Sequence, residues 1–166
     1  LVPSAPGLFR RVRPLLIIRP EPANSVTLAR ARALGAQAVA LPLFEIQPRA
    51  WSLPFAVEAR ALLFTSANAV RTAGSGLEAL RTLPVWAVGT RTAAAAMAAG
   101  FSVERTGTAG LDALLADAPP RPLLHLCGED RIVGEIAQGW PIAAITVYEN
   151  LALDARAELA TVLETD

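Results

Sequence analysis

The residues of this chain that could do chemistry are concentrated at three short turns. They are Thr65-Ser66, Gly89-Thr90-Arg91-Thr92 and Gly128-Glu129-Asp130-Arg131, and each follows an apolar run. Leu62-Leu63-Phe64 leads into the first, Val85-Trp86-Ala87-Val88 into the second and Leu123-Leu124-His125-Leu126 into the third. An apolar run that stops at Gly, Ser or Thr and passes into a helical pattern reads as a buried strand turning into a helix N-terminus. The first amide N–H groups of such a helix donate to a side-chain cap, here Ser66 or Thr65, and the helix dipole favours a carboxylate beside them. In a parallel α/β sheet these turns share the carboxyl edge, where ligands bind. Taken singly, Ser66, Thr90 and Thr92 read as ordinary caps. Three such turns, with Arg91 and Arg131 among them, point to an anion site. None is GxGxxG or GxxxxGK[ST], so a dinucleotide or P-loop nucleotide is not expected.

The other reactive side chains are few. His125 is the only histidine and lies inside an apolar run, so it reads as a hydrogen-bonded core residue. A lone histidine excludes a His-rich metal site and argues against a Ser-His triad. Cys127 is the only cysteine and reads as an inert buried thiol, with no disulfide framework and no thiolate cluster. Glu129 and Asp130 read as a solvated loop. Tyr148, the only tyrosine, closes an apolar strand, an arrangement that buries the ring and wets the hydroxyl. All 15 basic residues are Arg, so Schiff-base chemistry on lysine is absent.

These residues must be held by a substantial core. Hydrophobic residues make up 53% of the 166 and charged residues 18%, which supports a packed fold and opposes disorder. The formal net charge of +0 argues against a basic nucleic-acid-binding protein. The longest apolar runs are too short to span a membrane, and Pro14–Ile18, broken by Arg19-Pro20, is too short for a signal-peptide core. A cytoplasmic protein is expected, and with no coiled coil or long edge strand, a monomer.

Apolar patterning predicts strands at 15–18, 38–41, 43–46, 62–64, 85–88, 101–104, 123–126 and 145–149. Helices are expected between them: one capped by Asn24 or Ser25 and closed by Gly35, then 67–73, a short one at 77–81, 93–99, and one carrying Leu111, Leu114 and Leu115. A last helix is capped by Asp154, with Leu159, Val162 and Leu163 inward. Strict alternation of strand and helix predicts an α/β fold of parallel sheets flanked by helices. The strand count fits two domains, the second inserted into the first. The expected bounds are 1–46 with 144–166 for a discontinuous first domain and 51–141 for the insert, joined by crossing strands near Phe44 and Thr146. The first domain so defined is short of material for a core of its own.

Together, Arg19-Pro20, Phe64-Thr65-Ser66-Ala67-Asn68-Ala69-Val70, Val88-Gly89-Thr90-Arg91-Thr92-Ala93, Gly128-Glu129-Asp130-Arg131 and Val147-Tyr148-Glu149 resemble uroporphyrinogen-III synthases in order and spacing. The resemblance covers about residues 14 to 150. It implies two α/β domains joined by a pair of strands, with an active site between them and neither metal nor cofactor. The implied reaction closes hydroxymethylbilane, a linear tetrapyrrole with eight carboxylates, to uroporphyrinogen III with inversion of ring D and loss of water. Tyr148 matches the tyrosine that assists departure of the hydroxyl, and Thr92 the hydroxyl residue of the second turn. Ser66 matches the serine of the first turn and Arg19 the basic residue after strand one. Thr65, Asn68, Gly89, Thr90, Arg91, Gly128 and Arg131 complete the implied substrate-binding set. Cys127 departs from the pattern, standing where many relatives have Arg. The resemblance further implies strands and helices after Asp166 that complete the first domain, so inactivity of this stretch by itself is an expectation too. A synthase-like module that binds an acidic ligand without turnover is the alternative reading, and a flavodoxin-like phosphate binder is a weaker one.

Overall fold

The computed structural model describes residues 14–54, 58–131 and 136–164. The chain divides into two units, one running to Glu45 and resuming at Ala152, the other spanning Ile46–Leu151.

In the first unit β1 (Leu15–Ile17) and β2 (Ala38–Ala40) pair in parallel, Leu15 opposite Ala38, with α1 (Ala23–Ala33) as the crossover that parallel strands require. The cap expected from Asn24 or Ser25 does not form: Pro22 holds the N-cap position without a side-chain bond. The Glu21 carboxylate does that work, accepting from the Ser25 N–H at 3.1 Å and the Ser25 hydroxyl at 2.8 Å. Asn24 is fully buried, and its Nδ2 donates to the carbonyls of Ile17 and Arg19, both at 2.8 Å. Two bonds from a buried amide to backbone carbonyls outweigh one local cap. Gly35, at φ +78°, ends α1 as expected. In α5 (Arg156–Glu164) Leu159 and Val162 are half-buried, whereas Leu163, expected inward, is 64% exposed.

The second unit is built on a six-stranded sheet in the order β3-β8-β7-β4-β5-β6. The strands are β3 (Phe44–Pro48), β4 (Ala61–Phe64), β5 (Val85–Val88), β6 (Val103–Gly107), β7 (Leu123–Gly128) and β8 (Ile142–Ala152). Every pairing among β4, β5, β6, β7 and β8 is parallel. β4 is inaccessible along its whole length. Leu62 and Phe64 join Val85, Ala87, Leu124 and Leu126 on one face, while Ala61 and Leu63 join Trp86 and Leu123 on the other. A strand covered on both faces carries an unbroken apolar run, which is why β4, β5 and β7 are so plain in the sequence.

α2 (Ala67–Thr72), the 3₁₀ helix Gly74–Leu80 and α3 (Thr90–Ala98) pack on the first face. α4 (Leu111–Ala116) and the 3₁₀ helix Ile136–Gly139 lie on the second, through Leu114, Leu115 and Ala137. Trp51 belongs to this unit, its indole N–H donating to the Ala73 carbonyl at 2.8 Å.

Two strands differ from expectation. β6 starts at Val103 because the N–H of Phe101 is taken by the Ala96 carbonyl at 3.0 Å, closing α3 through Gly100 at φ +85°. Phe101 instead packs edge-on against Phe64, centroids 6.3 Å apart. β8 runs on to Ala152, so Tyr148 stands inside the strand and does not close it.

Candidate functional site

β4 and β7 are neighbours, yet the chain leaves them in opposite directions. From β4 it builds outward to β5 and β6, and from β7 to β8 on the other side. Such a reversal of strand order opens a crevice at the carboxyl ends of the two strands, because the helices that follow go to opposite faces. A concave pocket of about 410 Å³ lies there. Thr65 and Ser66 line it from the end of β4, Gly128 and Arg131 from the end of β7, Tyr148 from β8 and Asp112 from the first turn of α4.

Tyr148 reaches the pocket through an irregularity in β8. Cys127 pairs with Thr146, but Gly128 pairs with Tyr148, so Val147 is passed over and the register shifts. A residue inserted in this way re-aims the side chain after it. Val147 and Tyr148 consequently join the same apolar cluster, where strict alternation would have sent them to opposite faces. The ring lies against Gly128: a Cβ at that residue would stand 2.6 Å from the Tyr148 Cζ and 2.8 Å from its Cε2 and hydroxyl oxygen. The Glu129 N–H donates to the Tyr148 carbonyl at 3.0 Å and holds the strand in that register. Tyr148 is 9% exposed, and none of the described residues hydrogen-bonds its hydroxyl.

Around the phenol the site offers hydroxyls, one cation and the carboxylates of Asp112 and Asp130. Ser66 is the N-cap of α2, and its Oγ accepts from the Asn68 N–H at 3.2 Å. Thr65 Oγ1 lies 3.1 Å from Nε2 of His125. Arg131 has no described carboxylate within ion-pair distance. Burial, and secondarily the Arg131 charge, push the His125 pKa down to about 4, so the imidazole is neutral at physiological pH. Burial raises the Cys127 thiol above its ordinary value, with Arg131 opposing, and its Sγ lies 3.5 Å from the Ile145 carbonyl oxygen. Glu129 pairs with Arg49 at 2.8 Å in the open, and the Asp130 carboxylate accepts from Asn150 at 3.5 Å.

The pocket thus gathers Thr65, Ser66, Gly128, Arg131 and Tyr148 from the residues singled out in the sequence, together with Asp130, which reads in the sequence as part of a solvated loop. The others stand elsewhere. Asn68 sits in the first turn of α2, its Oδ1 accepting from Arg71 at 3.4 Å. Gly89, at φ +86°, is the N-cap of α3, and Thr90 and Arg91 are exposed in its first turn. Arg91 lines a separate groove with Arg71, and Thr92 is buried at 5% exposure. Arg19 belongs to the first unit, exposed, its Nη1 donating to the Thr27 hydroxyl at 3.2 Å. The sequence reading missed Asp112. Its signal was a fourth strand-end turn, Gly107 to Gly110, with Gly110 at φ +97° preceding α4. Among the described residues no three of His, Cys, Asp and Glu are grouped as metal ligands, and no helix is long and apolar enough to cross a membrane.

Compared with known proteins, the chain matches no curated protein. A solved uroporphyrinogen-III synthetase from Helicobacter pylori is similar over 91% of this chain and 68% of its own, with 21% identity and a TM-score of 0.60. A mutant uroporphyrinogen III synthase from Thermus thermophilus is similar over 86% of this chain and 64% of its own, with 19% identity and a TM-score of 0.57. At such identities the likeness is one of fold, and the chain spans about two thirds of each structure, 68% and 64%. The family described as uroporphyrinogen-III synthase HemD matches residues 25–166. On that match the chain belongs to the uroporphyrinogen-III synthase (HemD) family.

Proposed function

We propose that this protein closes hydroxymethylbilane to uroporphyrinogen III, with inversion of ring D and loss of water, in tetrapyrrole and heme biosynthesis. The observation that carries the reading at the level of chemistry is the Tyr148 hydroxyl. It is aimed by a register shift into a pocket that holds hydroxyl groups, one arginine and the carboxylates of Asp112 and Asp130. In this reaction the substrate supplies its own leaving group. Departure of its hydroxyl as water leaves an azafulvene that reacts with ring D, so the protein needs neither nucleophile nor cofactor. A phenol O–H donated to the departing oxygen makes it a better leaving group, while Arg131 and the hydroxyls of Thr65 and Ser66 hold carboxylates. Holding the linear chain folded with its ends close accounts for the rest, since such positioning lowers a barrier by converting an improbable encounter into a local step. The protein is read as a cytoplasmic monomer acting on this small molecule, without nucleic acid.

The test is incubation of the full-length protein with enzymatically generated hydroxymethylbilane, followed by chromatographic separation of the isomers. Formation of the type III isomer is expected, with Tyr148→Phe slowing turnover about 10²-fold at an unchanged melting temperature. Only the uncatalysed type I isomer would overturn the reading and leave the alternative, a module that binds an acidic ligand without turnover.

A further inference from the structure

Thr65 and Ser66 both line the pocket, and the hydroxyl of each has one partner within the protein. Ser66 Oγ accepts from the Asn68 N–H, so its own proton remains to be donated elsewhere. The partner of Thr65 is His125 on β7, 4% exposed, brought under the end of β4 because Leu63 pairs with His125 in the parallel register. A neutral imidazole carries one N–H and one lone pair, so Nε2 can serve Thr65 in two ways. With the proton on Nε2 it donates to Thr65 Oγ1, and the threonine proton is turned toward the pocket. With the proton on Nδ1 the threonine donates to the ring and shows the pocket only lone pairs. The pocket already holds the carboxylates of Asp112 and Asp130, and lone pairs would add to their repulsion of a polyacid, whereas two forward-pointing O–H groups beside Arg131 form a carboxylate-sized set of donors.

We propose that His125 is a positioning residue that donates Nε2–H to Thr65, and thereby makes the Thr65 hydroxyl a donor to a substrate carboxylate. The identity of that substrate rests on the synthase reading above; the geometry of the pair does not. His125 works by setting the direction of a proton and never by transferring one, in keeping with its burial and with the charge of Arg131 nearby.

His125 is the only histidine, so its ring nitrogens are unambiguous by ¹⁵N nuclear magnetic resonance. At pH 7 the Nε2–H tautomer is expected, with Thr65→Val shifting the Nε2 signal. In kinetics with hydroxymethylbilane, His125→Leu and Thr65→Val should each raise KM about tenfold with little change in kcat, the loss expected for one hydrogen bond to a charged group. The double variant should be no worse than Thr65→Val, and His125→Gln, whose amide can donate, should recover most of the loss. An Nδ1–H tautomer, or losses that multiply in the double variant, would overturn the proposal. Should His125→Leu fail to fold, the tautomer and the Thr65→Val shift decide. Should the wild-type protein form no type III isomer, the synthase reading falls, while the resonance experiment still decides the His125–Thr65 pair.

Discussion

Replacing Gly128 by Ala puts one methyl group where the structure has the Tyr148 ring. The added Cβ would stand 2.6 Å from Cζ and 2.8 Å from Cε2 and the hydroxyl oxygen. Ordinary carbon contacts lie at about 3.5–4.0 Å, so the ring must retreat by about 1 Å. Gly128 is not among the glycines at positive φ, so the backbone accepts alanine and the whole effect is steric. The ring has little room to yield, being 9% exposed and set on a strand whose carbonyl is tied to the Glu129 N–H. Overpacking of this kind costs about 1–3 kcal/mol of stability. A displacement of about 1 Å at a reacting group costs about 10²-fold in turnover. The assay is kcat for type III isomer from enzymatically generated hydroxymethylbilane, with thermal melting measured beside it. Tyr148→Phe provides the control: the clash with Cζ and Cε2 persists, so Gly128→Ala should still destabilise, but it should lower turnover no further. A Gly128→Ala protein with unaltered kcat would refute the claim that contact with this glycine positions the phenol. Losses that multiply in the double variant would show that Gly128 acts through something other than Tyr148.

Asn24→Ala should cost about 1–3 kcal/mol in urea denaturation, because it removes a buried amide that donates to the carbonyls of Arg19 and of Ile17, the latter keeping only the Leu41 N–H; a loss under about 0.5 kcal/mol would show that the amide is dispensable. The depressed pKa of His125 makes acid destabilising. The unfolded chain takes up a proton near pH 6.5 that the folded chain refuses until about pH 4, so stability present above pH 6.5 is lost as pH falls across that interval. The total approaches about 3 kcal/mol, and His125→Gln should flatten that part of the stability profile; an equally steep profile would assign the acid sensitivity to other groups. Cys127 is buried with its thiol pKa raised, so a water-soluble disulfide reagent should label it only after denaturation, and stoichiometric labelling of the native protein would contradict its placement.

The buried strands were legible because each is an apolar run bounded by Gly, Pro or hydroxyl residues, and β4, β5 and β7 stand where the pattern put them. Local rules failed where a distant group made a stronger demand. Asn24 satisfies every preference for a helix cap, but the carbonyls of Ile17 and Arg19 claim its amide. The run from Phe101 looks like a strand start, but the closing turn of α3 takes its N–H first.

Residue types and their order were enough to establish an alternating α/β chain, a set of strand-end turns rich in Gly, Ser, Thr and Arg, and the resemblance to a synthase family that the match over residues 25–166 bears out. Those turns are alike in kind, and nothing local distinguishes one from another. Which of them meet is a matter of strand order, and that is decided by pairing between segments some sixty residues apart, such as Leu63 with His125. The order places the reversal between β4 and β7, so Thr65 and Ser66 share a pocket with Gly128 and Arg131, while Thr90 and Arg91 stand outside it. The aim of Tyr148 is likewise tertiary. One passed-over residue in β8 turns its ring onto the only kind of residue that leaves room for it, the glycine at the end of the neighbouring strand.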